Sequence, residues 1–276
     1  MDPRLQLRVQ RYGWDRAAPV YDRAWRRQLA PAQELLLRKA DLRSGEDVAE
    51  LACGSGLVTR EAARAVGQGG RVVATDLADR MVELTQEMAE EEGLQQVETR
   101  RMDAGSLDLP DASFDASLCA LGLMYLPDPD PAMAEMARVL RPGGRAVAAV
   151  WGERKRCGWA EVFPIVDARV ETDVCPLFFQ LGTGETLRHR MEAAGLEDLD
   201  VTRIDSPIEY ESADDVLEAA FAGGPVAMAY HRFDDDTRRE VHDEYLASIE
   251  PYRTDDGGYR IPGEFVVARG RRSVTG

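Results

Sequence analysis

The stretch Val48-Ala-Glu-Leu-Ala-Cys-Gly-Ser-Gly-Leu57 is an apolar run that breaks into small residues and resumes as a helical pattern. Residues 46–53 are a strand candidate, and residues 57–66 follow as a helix. A strand that feeds a tight turn and then a helix is the opening unit of an α/β sheet. Ligands of such sheets bind beyond the carboxyl ends of the strands, where strand order reverses. Gly54 and Gly56 let backbone approach a ligand with no Cβ in the way. Alone, a G-x-G is as often a plain turn as a ligand loop, so the surroundings must decide.

They separate two nucleotide-type ligands. A dinucleotide loop needs G-x-G-x-x-G, so that the helix packs closely and cradles a pyrophosphate. Here the third glycine position is Thr59. Glu50, at the strand end, would repel a diphosphate and suits a cationic ligand. Asp76 closes the next β-branched run, residues 71–76, where an acid can accept both hydroxyls of a ribose. Asp103 follows a third strand candidate, residues 97–102, and could accept from an adenine amine. Three acids at successive strand ends beside a glycine turn outweigh the reading of each as a solvated loop residue.

Outward from this stretch the alternation continues. Residues 79–92 carry Met81, Leu84 and Met88 at helical spacing, and residues 114–121 and 145–151 read as strands. Between them residues 131–140 form a helix closed by Arg141-Pro-Gly-Gly144. Repeated β-α-β units of this length imply a parallel sheet with helices on both faces. Residues 153–184 are irregular and aromatic, with Trp159, Phe163, Phe178 and Phe179. Residues 186–194 read as a helix, 199–204 as a strand, 212–250 as mostly helical around Gly223-Gly224-Pro225, and 264–269 as a last strand.

The 276 residues carry a net charge of −16, with 44% hydrophobic and 30% charged positions. That composition is globular, and its charge disfavours phosphate backbones and anionic membrane surfaces. The start lacks the apolar run of a signal peptide, and no stretch is long and apolar enough to span a bilayer, so the chain reads as cytoplasmic. Cys53, Cys119, Cys157 and Cys175 are too scattered for a zinc site or a disulfide framework, and no metal is expected.

The pattern resembles the class I S-adenosylmethionine-dependent methyltransferases, particularly the ubiquinone/menaquinone-biosynthesis C-methyltransferase branch. The resemblance covers residues 12–152 and the ending Pro262-Gly-Glu-Phe-Val-Val-Ala-Arg269. Glu50, Ala52, Gly54 and Gly56 match the family's first motif, with Cys53 between them. Asp76-Leu77 matches the ribose-binding acid and its neighbour, and Asp103-Ala104 the pair near adenine. Phe114-Asp115 and Cys119-Ala-Leu-Gly-Leu-Met-Tyr125 match the fourth strand and the loop on the methionine side, and Arg138-Val-Leu-Arg-Pro-Gly-Gly144 the turn that follows. Ala52 stands where the family usually has glycine, and Glu50 where it more often has aspartate.

The resemblance implies a Rossmann-like doubly wound α/β fold: a mostly parallel seven-stranded sheet with helical lid insertions. It implies S-adenosyl-L-methionine as cofactor and a small, partly apolar methyl acceptor as partner. The cofactor residues it points to are Tyr21, Glu50, Ala52, Cys53, Gly54, Gly56, Asp76, Leu77, Met81, Met102, Asp103, Ala104, Ala120 and Leu121. Residues 1–42 read as an N-terminal helical lid with Trp14 and Tyr21, 43–152 as the cofactor-binding core, and 153–184 and 206–260 as acceptor-site insertions. Residues 185–205 and 261–272 complete the core. Methyl transfer needs alignment more than a base. The candidate bases are His231 and Tyr230 in the late insertion, whereas His189 reads as a surface-helix residue and His242 as solvent-facing. The rival reading is a protein that uses the cofactor structurally or for another reaction.

Overall fold

In the computed structural model, which describes residues 3–170 and 177–274, the quoted stretch opens on β1 (Asp47–Leu51), third strand of a seven-stranded sheet. Along the chain follow β2 (Arg71–Asp76), β3 (Val97–Arg101), β4 (Phe114–Ala120), β5 (Leu140–Trp151), β6 (Leu196–Asp205), β7 (Ile208–Tyr210), β8 (Tyr259–Ile261) and β9 (Glu264–Arg272). The sheet order is β3-β2-β1-β4-β5-β9-β6. Val48 lies opposite Val72 on one side and Ala116 on the other, both in parallel register. Only β9 runs against its neighbours, placing Ala268 opposite Ala148 of β5 and Val201 of β6. Val48, Ala49 and Leu51 are wholly buried, as a central strand covered on both faces must be. β3, at one edge, is the charged Val-Glu-Thr-Arg-Arg, which discourages pairing with another chain.

The helices are α1 (Pro3–Ala40), α2 (Leu57–Val66), α3 (Asp79–Glu91), α4 (Asp130–Val139), α5 (Val162–Asp167), α6 (Thr186–Ala193), α7 (Ala213–Leu217), α8 (Ala227–Tyr230) and α9 (Asp235–Ile249). Strand order reverses between β1 and β4, so the crevice expected of an open α/β sheet lies above those two strands. At the opposite end of the sheet Arg145 donates to the carbonyls of Ala40 and Asp41 and pairs with Glu46, which anchors the C-terminal end of α1. Lys39, nearly buried, pairs with Asp200 at 2.7 Å. No helix among the described residues is long and apolar enough to cross a membrane.

Two expectations need correction. Arg-Pro-Gly-Gly does not separate α4 from a strand at 145; β5 starts at Leu140, and register jumps from Phe114–Leu140 to Ala116–Arg145, so 141–144 is a bulge. The stretch around 206–260 also holds a two-stranded sheet, β7 against β8, whose three-residue strands are too short for any periodic signal. Cys175 lies outside the described residues.

Candidate functional site

The chain leaves β1 through Ala52, whose φ of 54° is left-handed, and then Gly54 at 57°. A methyl group in that region is strained by roughly 1–2 kcal/mol. The extra carbon of Ala52 is accommodated opposite, because a Cβ on Gly122, in the turn after β4, would lie 2.4 Å from it. Leu121 beside it is left-handed too, at 62°. Strain thus gathers where the ends of β1 and β4 meet, a usual mark of a functional turn.

These turns form the floor of a cavity open to solvent on one side. Ala52 and Gly54 line it after β1, Asp76 and Leu77 after β2, Met102, Asp103 and Ala104 after β3, and Ala120, Leu121 and Gly122 after β4, with Met81 from α3. Its roof is one face of α1, where Leu7, Gln10, Trp14 and Tyr21 recur at helical spacing. Of the cofactor candidates, Glu50, Cys53 and Gly56 do not line it. Gly56 serves packing: a Cβ there would meet Met88 at 2.6 Å and Thr85 at 3.2 Å, so its absence lets α3 close on the turn. Cys53 is buried, 3.6 Å from the Thr85 hydroxyl.

Among the described residues the wall carries two carboxylates and no Lys or Arg. Asp76 accepts from the N–H of Gly54 and of Ala78, each at 2.9 Å, which fixes its carboxylate at the end of β2. Burial raises its pKa against those two bonds. Behind the turn, Glu50 is almost wholly buried and accepts from the Thr59 hydroxyl at 2.6 Å. Burial pushes its carboxyl up to about 8, with the charge of Asp76 adding to the shift. Thr59, which broke the dinucleotide pattern, is thus the partner of the strand-end acid. Burial also raises Cys53 well above the usual thiol range and Cys119 to about 12, so neither is a thiolate nucleophile.

α1 is tied across the cavity mouth. Arg11 pairs with Asp79, Asp15 accepts from the Arg80 N–H at 3.0 Å, and Asp22 accepts from the Ser55 hydroxyl. Trp14 meets Tyr21 edge-on at 5.7 Å and Tyr125 at 4.9 Å. Burial and the nearby Asp22 and Asp76 raise Tyr21, which stays a neutral phenol. Beyond these rings lies a narrow pocket with Trp25, Trp151 and Trp159, sharing Trp14, Tyr21, Leu121 and Tyr125 with the larger cavity.

The candidate bases are elsewhere. Tyr230 and His231 line neither cavity, and His231 is exposed. The Tyr230 hydroxyl lies 3.0 Å from His242 Nε2, and the two rings stack at 5.6 Å, joining α8 to α9. His242 is therefore half-buried rather than solvent-facing, and burial lowers its pKa. His189 is exposed on α6. Leu7, Gln10 and Leu126, which also line the larger cavity, had escaped the sequence reading. The first two share the helical spacing of Trp14 and Tyr21, a signal that was present; Leu126 carries none. No cluster of metal-ligating side chains occurs among the described residues.

A seven-stranded sheet in this order, with β9 reversed and acids at the ends of β2 and β3, defines the Rossmann-like class I methyltransferase fold. Residues 48–144 match the methyltransferase domain family. The nocamycin O-methyltransferase of Saccharothrix syringae is 38% identical over 132 residues, 48% of this chain and 47% of that protein. The ubiquinone/menaquinone biosynthesis C-methyltransferase UbiE of Teredinibacter turnerae is 37% identical over 114 residues, 41% of this chain and 46% of that protein. The chain therefore spans about half the length of these relatives. The crystal structure of the [4+2]-cyclase SpnF superposes with a TM-score of 0.58 at 22% identity, over 88% of this chain and 80% of that one, a likeness of fold alone. The matched segment is thus a class I S-adenosylmethionine-dependent methyltransferase domain, similar to the UbiE branch.

Proposed function

We propose that this chain is an S-adenosylmethionine-dependent methyltransferase that acts on a small, partly apolar molecule by direct displacement at the methyl carbon. One observation carries the reading: an acid-bearing cavity, with no Lys or Arg on its wall among the described residues, shares four residues with an aromatic pocket. A diphosphate would meet only carboxylates there, whereas a cationic nucleoside finds charge of opposite sign. Because the same fold carries a cyclase, the site and not the architecture supports the activity.

Asp76 would receive the ribose hydroxyls and Asp103 the adenine amine, with Leu77, Met81, Met102 and Ala104 around the base. The turn from Ala52 to Gly54, with Ala120, Leu121 and Tyr21, would hold the methionine end. Glu50 and Gly56 act one layer back, through Thr59 and through packing on α3. When bound, S-adenosylmethionine supplies a methyl group on a cationic sulfur, which leaves as a neutral thioether as the acceptor's electron pair forms the new bond. The chain contributes alignment and a dry cavity. Tyr21, held neutral by burial, can donate a hydrogen bond but does not take a proton. Residues 1–42 act as the lid, 43–152 as the cofactor core, and 153–184 and 206–260 shape the acceptor side.

The test is binding followed by turnover. S-adenosylhomocysteine should raise the thermal midpoint while NAD leaves it unchanged, and incubation with phenols, quinols and amines should release S-adenosylhomocysteine from the donor. Protection by NAD instead would overturn the cofactor assignment. Donor binding with no release across the panel would favour a protein that uses the cofactor without methylating.

A further inference from the structure

The strand ends give the larger cavity a direction. In the sheet order β3-β2-β1-β4, Asp103 and Asp76 stand at the ends of β3 and β2. A nucleoside with its base at Asp103 and its ribose at Asp76 extends its 5′ arm over β1 and β4. Among the described residues, the wall that follows β1 and β4 bears no carboxylate. Three rings stand there instead. Tyr21 reaches over the turn after β1, where a Cβ on Gly54 would lie 4.0 Å from its Cε1. Tyr125 follows β4, and Trp14 meets both rings, with centroids 5.7 Å from Tyr21 and 4.9 Å from Tyr125. Interplanar angles of 86° and 79° make a corner of rings and not a flat stack. All three are half-buried and line the cavity, so they keep surface for a ligand.

We propose that Trp14, Tyr21 and Tyr125 form a cage for the positive sulfur, and that Trp14 makes the site prefer S-adenosylmethionine to its neutral product. The inference deepens the methyltransferase reading and rests on it. The face of an aromatic ring attracts a cation, most strongly in tryptophan. The acids at β2 and β3 grip the adenosine that donor and product share, whereas the rings meet the one atom whose charge changes. Once the methyl group has left, the sulfur is neutral and that attraction is gone, so product gives way to fresh donor. A merely apolar wall would act the other way, because burying an uncompensated charge is costly and the thioether carries none.

The test is calorimetry on the intact protein with S-adenosylmethionine and S-adenosylhomocysteine in turn. The donor should bind about three- to tenfold more tightly than the product. Trp14→Leu, which keeps apolar bulk but removes the ring, should bring that ratio to one or below, and Trp14→Phe should restore part of it. A second measurement needs no substitution. Of the four tryptophans, Trp14 alone lines the larger cavity. Growing the wild-type chain with mono-, di- and trifluorinated tryptophan therefore draws electron density from that ring face and barely alters its shape. Donor affinity should fall about two- to threefold at each step while product affinity stays level. Product binding as tight as donor binding, an unchanged ratio in folded Trp14→Leu, or fluorination that spares the donor or weakens both ligands alike would each overturn the proposal. Binding of neither ligand would strike the methyltransferase reading together with this inference; binding of both without preference would strike this inference alone.

Discussion

Single residues at the strand ends carry most of the cofactor argument, and two of them can be tested separately. Asp76 holds its carboxylate on two backbone N–H groups at the cavity wall. Asp76→Ala should weaken S-adenosylhomocysteine binding by about 1.5–3 kcal/mol, the range for hydrogen bonds to a charged group. Unchanged affinity in calorimetry would count against a ribose role. Glu50 makes a different prediction, because burial raises its carboxyl from 4.5 to about 8. The folded chain keeps a proton there that the unfolded chain loses above 4.5. Stability from this group is therefore full below pH 4.5 and is lost as pH rises through about 8. Glu50→Gln keeps an oxygen for Thr59 but cannot ionise. Denaturant unfolding should give equal stabilities near pH 4.5 and a variant ahead by roughly 3–5 kcal/mol at pH 8.5. A gap that does not change with pH would refute the buried-acid account.

At the scale of elements, α1 behaves as a helix of two halves. Its C-terminal end is anchored to the sheet by Arg145 and Lys39, and its N-terminal half roofs the cavity through Arg11, Asp15 and Asp22. The N-terminal ties are partly exposed and individually weak. Removing two of them with Arg11→Ala and Asp15→Ala should speed S-adenosylhomocysteine release about tenfold, equivalent to roughly 1.4 kcal/mol, in stopped-flow displacement. An unchanged release rate would mean that the ligand does not leave by this route. The aromatic stripe Trp14–Tyr21 is legible in the sequence as a helix face, but which cavity it covers depends on contacts tens of residues away. The short β7–β8 sheet was not legible at all, since three-residue strands are stabilised by their partner rather than by any local pattern.

For the whole molecule, the joint between the sheet and the late segments rests on Glu264. This buried carboxylate accepts from the Glu153 N–H at 3.0 Å and pairs with Arg156 at 2.7 Å and Arg203 at 3.1 Å, linking β9, β6 and the chain leaving β5. Gly152 is glycine because a Cβ there would lie 2.1 Å from that carboxylate. Removing this carboxylate takes a partner from the Glu153 N–H and from two part-exposed arginines, of which Arg156 keeps Asp205. Glu264→Ala should therefore cost about 1–3 kcal/mol in denaturant unfolding. A loss below about 1 kcal/mol would show that the joint is held by packing alone. Trp151, one residue before Gly152, lines the aromatic pocket, so the same variant should disturb that pocket before the acid-lined cavity.

The sequence alone determined the central sheet, the glycine turn and the acids at the ends of β2 and β3. Each of these depends on spacing within a few residues, where the periods of strand and helix and the needs of a turn act directly. Tertiary structure decided the rest. It put Glu50 and Gly56 behind the turn instead of in the cavity, drew His242 to Tyr230, and left Tyr230 and His231 off the wall of either cavity. Those outcomes depend on which distant side chains meet, and burial and pairing have no local signature in the order of residues.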